Sequence, residues 1–197
     1  MFTRQKLPLK LKEIAHISVV SLTLNSIPGF LFAIGETKVS SVTAGIINAT
    51  TPLMTILVIS LAFRDQQVNK NQWLGMVVGF FGVLLVTDVF SNKGHNSIAG
   101  IFMLLAATLC YGFSMPYNRK FVSSMSYSST ALATVQVSLS AIFLAPFTLF
   151  SNFAPHPWSS KSIWGILLLG AIGTGFAYIW NYRNVKIAGS AIASTVT

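Results

Sequence analysis

Charged residues are scarce in this chain. Asp, Glu, Lys and Arg make up 9% of its 197 residues, where a soluble domain carries roughly 25%. With 53% hydrophobic residues and a mean hydropathy of +0.67, too few charges remain to coat a globule in water. A water-soluble enzyme domain is therefore all but excluded. One cysteine, Cys110, lies inside an apolar run, so neither a disulfide framework nor a multi-cysteine metal site can be built. The histidines His16, His95 and His156 are far apart and show no H-E-x-x-H spacing, so no metal or cofactor is expected. The four acids, Glu13, Glu36, Asp65 and Asp88, all fall at the ends of apolar runs. No carboxylate pair is placed for acid–base work, and no G-x-S-x-G nucleophile elbow occurs. These absences argue against an enzyme.

Long apolar runs are what the chain does have. At about 1.5 Å rise per residue, a helix needs ~20 apolar residues to cross roughly 30 Å of hydrocarbon. Charge-free windows place six such spans: Ile14–Ile34, Val42–Phe63, Trp73–Val89, Ile98–Tyr117, Ala131–Phe150 and Ile163–Tyr182. A further apolar segment starts at Ile187 and supplies half of a seventh. The first run follows Arg4, Lys6, Lys10 and Lys12 as a signal peptide would, but it exceeds the roughly 7–15 residues of a signal core. It reads as a retained span. The expected fold is an all-α integral membrane bundle with short connections and antiparallel neighbours.

The formal charge of +9 is spread between the runs rather than clustered, which argues against a nucleic-acid partner. Alternate connections carry Arg4, Lys6, Lys10, Lys12, Arg64, Lys70, Arg119, Lys120, Arg183 and Lys186, whereas the others carry only Lys38, Lys93 and Lys161. Ten cations against three is a positive-inside bias, which puts Met1 in the cytoplasm of a multi-pass cell-membrane protein.

Gly75, Gly79 and Gly82 share one face of the third span, which suits close helix packing within the monomer or a homodimer surface. Pro28, Pro52, Pro116 and Pro146 each interrupt a helix ladder and predict kinks. Asn25, Asn48, Thr50, Thr51, Tyr111, Gln136, Tyr178, Trp180 and Asn181 are polar groups inside spans. Each must face another helix, a wet cavity or a solute.

The stretch V-T-A-G-I-I-N-A-T-T-P-L from Val42, followed after a charged turn by Q-W-L-G-M-V-V-G-F-F-G-V-L-L-V, resembles the first repeat of the EamA family of the drug/metabolite transporter superfamily. Gly100–Lys120 is similar to a family helix that opens on glycine, carries an Ala-Ala pair and ends on basic residues. G-T-G-F-A-Y-I-W-N-Y at Gly173–Tyr182 resembles a helix of the second repeat, and Ile187–Thr197 its G-A-S-x-A-S segment. One departure is visible. The family's Gly-Glu pair before Q-W-x-G is replaced here by Phe63, Arg64, Asp65 and Gln66.

The resemblance implies a ten-helix transporter of two inverted five-helix repeats, with residues 1–89 in the first and 98–197 in the second. Ser40, Ser41 and Ala44 match Gly189, Ser190 and Ala193 at a constant offset of 149. Applied to Gly100 and to Thr197, that offset implies two helices before Met1 and a further stretch after Thr197, hence a natural chain of about 290 residues. These 197 residues alone are then not expected to transport. By the same resemblance the first, second, fourth and sixth spans line a central cavity, making Asn25, Asn48, Thr51, Tyr111, Tyr178 and Trp180 the candidate substrate-binding residues. Gln136, on a peripheral helix, is expected to be structural. The implied function is alternating-access transport, as an exporter, of a small metabolite such as an amino acid. The alternative is a non-transporting membrane scaffold or remnant of a transporter.

Overall fold

The structure, a computed structural model, describes residues 7–8, 10–66, 68–86, 97–150 and 159–196. Six long helices follow one another: α1 (Leu11–Gly35), α2 (Ser41–Ala62), α3 (Lys70–Val86), α4 (Ile98–Val122), α5 (Ser129–Phe150) and α6 (Ser160–Ala188). A short α7 (Ser190–Ala193) runs into a 3-10 turn at Ser194–Val196. Among the described residues, α1, α2, α4, α5 and α6 are long and apolar enough to cross a membrane. The described part of α3 has 17 residues, and its expected end at Val89 lies outside the described residues. The all-helical membrane bundle read from composition is therefore what the described residues form, with five such crossings among them, while the third expected span, Trp73–Val89, ends outside the described residues.

Two helix ends run well past the charge-free windows, that of α4 to Val122 and that of α6 to Ala188. α6 continues past Tyr182 to Ala188, because Arg183 and Lys186 leave charge at its end and water-facing turns tolerate it. Gly189 then ends the helix in a positive-φ conformation (φ 88°) that favours glycine. Arg119 lies against this glycine, at 2.8 Å from where a Cβ would stand.

The prolines act in different ways. Pro52 cannot donate to the Asn48 carbonyl, and α2 is interrupted between Asn48 and Thr51. The Thr51 hydroxyl takes up the freed Asn48 carbonyl at 2.7 Å, and the Thr50 hydroxyl bonds the Ile47 carbonyl at 2.6 Å. Pro28 and Pro116 sit beside π-helical turns at Leu22–Ser26 and Asn118–Val122, where the ladder shifts by one residue. Pro146 lies within the unbroken α5.

Packing centres on α4. Its Gly112 meets α2 backbone to backbone, since a Cβ there would stand 2.7 Å from the Met54 carbonyl carbon. Its Gly100 sits equally close to Val39. Ile17, Val20, Leu24, Met115, Val122, Leu132, Tyr182 and Val185 form the main apolar core, drawn from α1, α4, α5 and α6. In the glycine stripe of α3, Gly79 packs on Leu53, whereas Gly75 and Gly82 meet nothing within 4 Å among the described residues. Close packing within the monomer thus holds at one of the three positions.

Polar contacts sort the helix ends. Tyr127 donates to Glu13 at 2.9 Å, and Lys120 pairs with Asp65 at 3.1 Å, at one end of the bundle. The Ser97 amide donates to the Lys38 carbonyl at 2.9 Å at the other.

Candidate functional site

The break in α2 puts Asn48 where a helix would otherwise seal itself. Around it lies a cavity of about 360 Å³, within the roughly 300–1,000 Å³ of small-molecule sites. Leu24 of α1, Asn48 of α2, Tyr111 of α4 and Ala177, Tyr178, Trp180, Asn181 and Asn184 of α6 line it. Tyr111 stacks on Phe32, with ring centroids 6.0 Å apart. A second recess shares Asn48 and Tyr111 and reaches Glu36 and Ser41, near the Lys38 end of the helices. Asn48 and Tyr111 are therefore walls of both spaces.

Two side-chain acceptors in this lining are unpaired. Asn48 Oδ1 and Asn181 Oδ1 are buried and have no hydrogen-bond partner among the described residues. An unpaired buried acceptor costs about 1–3 kcal/mol, which a bound solute can recover. Among the described residues, no Lys, Arg, His, Asp or Glu lines the main cavity. Its chemistry is neutral, with amides, phenol and indole rings.

Of the six candidate residues, the structure brings Asn48, Tyr111, Tyr178 and Trp180 together around this cavity. Thr51 is fully buried, and its hydroxyl is committed to the Asn48 carbonyl, so it shapes the break behind the wall. Asn25 is committed elsewhere, accepting from Gln136 Nε2 at 2.6 Å. That bond belongs to a seam in which the Ser21 hydroxyl also bonds the Gln136 carbonyl at 3.0 Å, holding α1 against α5. Replacing Gln136 with leucine removes the bond and orphans Asn25 Oδ1. Such a membrane hydrogen bond averages about 0.6 kcal/mol and reaches about 1.7 kcal/mol. Gln136→Leu should therefore lower thermal stability modestly and leave solute flux near the parent's. Inactivity of Gln136→Leu with normal Asn48→Leu and Tyr178→Ala variants would contradict this assignment of roles.

Asn184 and Ala177 escaped the sequence reading. Ala177, Asn181 and Asn184 lie at i, i+4 and i+7, so they share a face. That face was obscured by ending the span at Tyr182.

At the Glu13 end, Gln66 ties three elements together. Its Nε2 donates to the Pro116 carbonyl of α4 at 2.9 Å, and its Oε1 accepts from the Ser190 hydroxyl of α7 at 2.6 Å. Beside it, hydrogen bonding to Lys120 holds the Asp65 carboxyl below the ordinary carboxylate range. The depressed value means the pair is present at neutral pH and is lost only as pH falls through the carboxyl's lowered pKa. Both partners are well exposed, so the pair contributes little to stability.

The profile of the EamA-like transporter family matches residues 1–88 and again 98–197. The chain belongs to this family. Among similar proteins, the uncharacterized transporter YyaM of Bacillus subtilis (strain 168) is 27% identical over 188 residues, covering 90% of this chain and 60% of YyaM. The uncharacterized transporter YoaV of the same organism is 21% identical over 195 residues, covering 96% of this chain and 66% of YoaV. An uncharacterized transporter of Archaeoglobus fulgidus is 25% identical over 134 residues, covering 64% of this chain and 45% of that protein. The chain spans 60% of YyaM and 66% of YoaV. No solved structure matches the chain at a significant level. Family and helices together make this a multi-pass membrane protein of a transporter family.

Proposed function

We propose that the cavity between α1, α2, α4 and α6 is the solute site of a secondary transporter that exports a small metabolite, such as an amino acid, by alternating access. The observation that carries this reading is convergence. Asn48, at a proline-broken helix, meets Tyr111, Tyr178 and Trp180 from two other helices around one cavity with two unpaired acceptors. Broken helices at a neutral polar cavity suit a solute that must be bound and released. The two family matches, before and after residue 98, support the two-repeat arrangement, as does the offset at which α2 and α7 begin, at Ser41 and Ser190.

In such a cycle the Gln66 tie is a closure at one end, joining the α2–α3 connection to α4 and α7. The recess toward Glu36 is the approach from the other end. By the cation bias, Gln66 faces the cytoplasm and Glu36 the outer compartment.

Orientation is directly testable. Reporter fusions at Lys70 or Lys120 should read as cytoplasmic and a fusion at Lys161 as outer; Lys93, the other outer position, lies outside the described residues. The reverse pattern at two of these sites would overturn the orientation. The functional test is saturable flux in vesicles containing the full natural polypeptide, measured over a metabolite panel. A non-transporting scaffold would show none.

A further inference from the structure

We infer that the cavity is selective for the ammonium group of a small amine, received by the side-chain oxygens of Asn48 and Asn181; this rests on the solute-site reading above. Both oxygens are buried and unpaired among the described residues, and both belong to residues that line one cavity. What they lack is a hydrogen-bond donor. An ammonium group is a donor with no acceptor capacity, and its charge makes each bond roughly twice as strong as a neutral one.

The rest of the wall favours the same charge. Tyr111, Tyr178 and Trp180 bring aromatic rings to this lining, and a ring face attracts a cation placed within about 6 Å of its centroid. Among the described residues no Lys, Arg or His side chain lines the cavity, so a carboxylate or phosphate finds no described counter-charge there. Among the described residues the adjoining recess carries one charged side chain, the exposed Glu36, and Lys38 is not part of its lining. A carboxylate at that position raises the local concentration of cations at the approach. Asn184 extends the wall with a third amide along the same face of α6. The apolar part of the solute would then rest on Leu24 and the rings.

The test uses the full natural polypeptide in lipid nanodiscs and three probes of nearly equal shape: phenethylamine, 2-phenylethanol and 3-phenylpropionate. Dissociation constants are measured by calorimetry. Phenethylamine should bind about tenfold tighter than the alcohol, with the carboxylate weakest. Asn48→Leu and Asn181→Leu should each erase most of that preference. Asn181→Asp, which keeps the shape and adds a negative charge, should tighten phenethylamine about tenfold and leave the alcohol unchanged. That gain cannot come from misfolding.

Equal binding of amine and alcohol, tighter binding of the carboxylate, or an amine affinity untouched by both leucine variants would overturn the inference. Failure of all three probes to bind would overturn it as well. In each of these cases, saturable flux of any other solute that Tyr178→Ala abolishes would keep the solute site and reject only its ammonium preference.

Discussion

Replacing Gly112 with leucine should remove most of the folded protein from the membrane. Even the first added atom is in conflict: a Cβ at this position would stand 2.7 Å from the Met54 carbonyl carbon, 2.8 Å from its Cβ and 2.9 Å from its carbonyl oxygen. Two of those three atoms are backbone, so the clash cannot be relieved by turning a side chain. The α2–α4 crossing would have to open, and with it the cavity wall that Asn48 and Tyr111 share. Overpacking in a close-packed interior costs about 1–3 kcal/mol per event. Leucine adds three further carbons to that first clash. Against a total stability of roughly 5–15 kcal/mol, a loss at or above the top of that range is severe.

The measurement is membrane abundance and thermal stability of Gly112→Leu, with Gly112→Ala as a milder step in the same direction. Gly75→Ala is the control, because no described residue outside its own helix turn lies within 4 Å of where its Cβ would stand. It should keep parental abundance, and replacing glycine inside a helix gains up to about 1 kcal/mol. Damage from Gly75→Ala equal to that from Gly112→Ala would place a partner, such as a second copy, on the α3 stripe.

Asn48→Leu and Tyr178→Ala should abolish or strongly reduce flux while leaving the protein in the membrane. The reason lies in what Asn48 does not do. Its Oδ1 has no partner among the described residues, so leucine there breaks no bond to that oxygen and leaves no described donor stranded. Any loss of flux then reports a lost contact to the solute. One buried hydrogen bond to a bound group is worth about 1–3 kcal/mol, or roughly 5- to 150-fold in affinity. Tyr178 adds a large ring face to the same wall, and truncation to alanine removes that surface altogether. Steady flux with normal affinity in both variants would move the solute site elsewhere in the bundle.

Much of this architecture is legible from charge alone. The succession Lys12, Lys38, Arg64, Lys93, Arg119, Lys161 and Arg183, falling on alternate sides, brackets the runs that become α1 to α6, because a charge inside hydrocarbon is too costly to leave unpaired. Pro52 likewise announces the break in α2, since a missing N–H must leave a carbonyl without its usual donor. Sequence cannot tell which neighbour satisfies a polar group. Asn25 and Asn48 look alike as amides inside apolar runs, yet one is bonded to Gln136 across the α1–α5 seam and the other faces the cavity. The difference is set by helix rotation and by pairing between residues more than a hundred positions apart. Gln66 was invisible for the same reason. It sits in a polar connection and gains its role only because Pro116 and Ser190 are brought to it. Pro146 shows the converse: a residue that signals a break lies in a helix that continues.

The most direct test of the account is flux through the full natural polypeptide in sealed vesicles, compared between the parent and Tyr178→Ala at matched protein content. The account predicts saturable, solute-specific flux for at least one small metabolite in the parent, and its loss in Tyr178→Ala. Absence of saturable flux for every solute tried, or flux that Tyr178→Ala and Asn48→Leu leave unchanged, would contradict it.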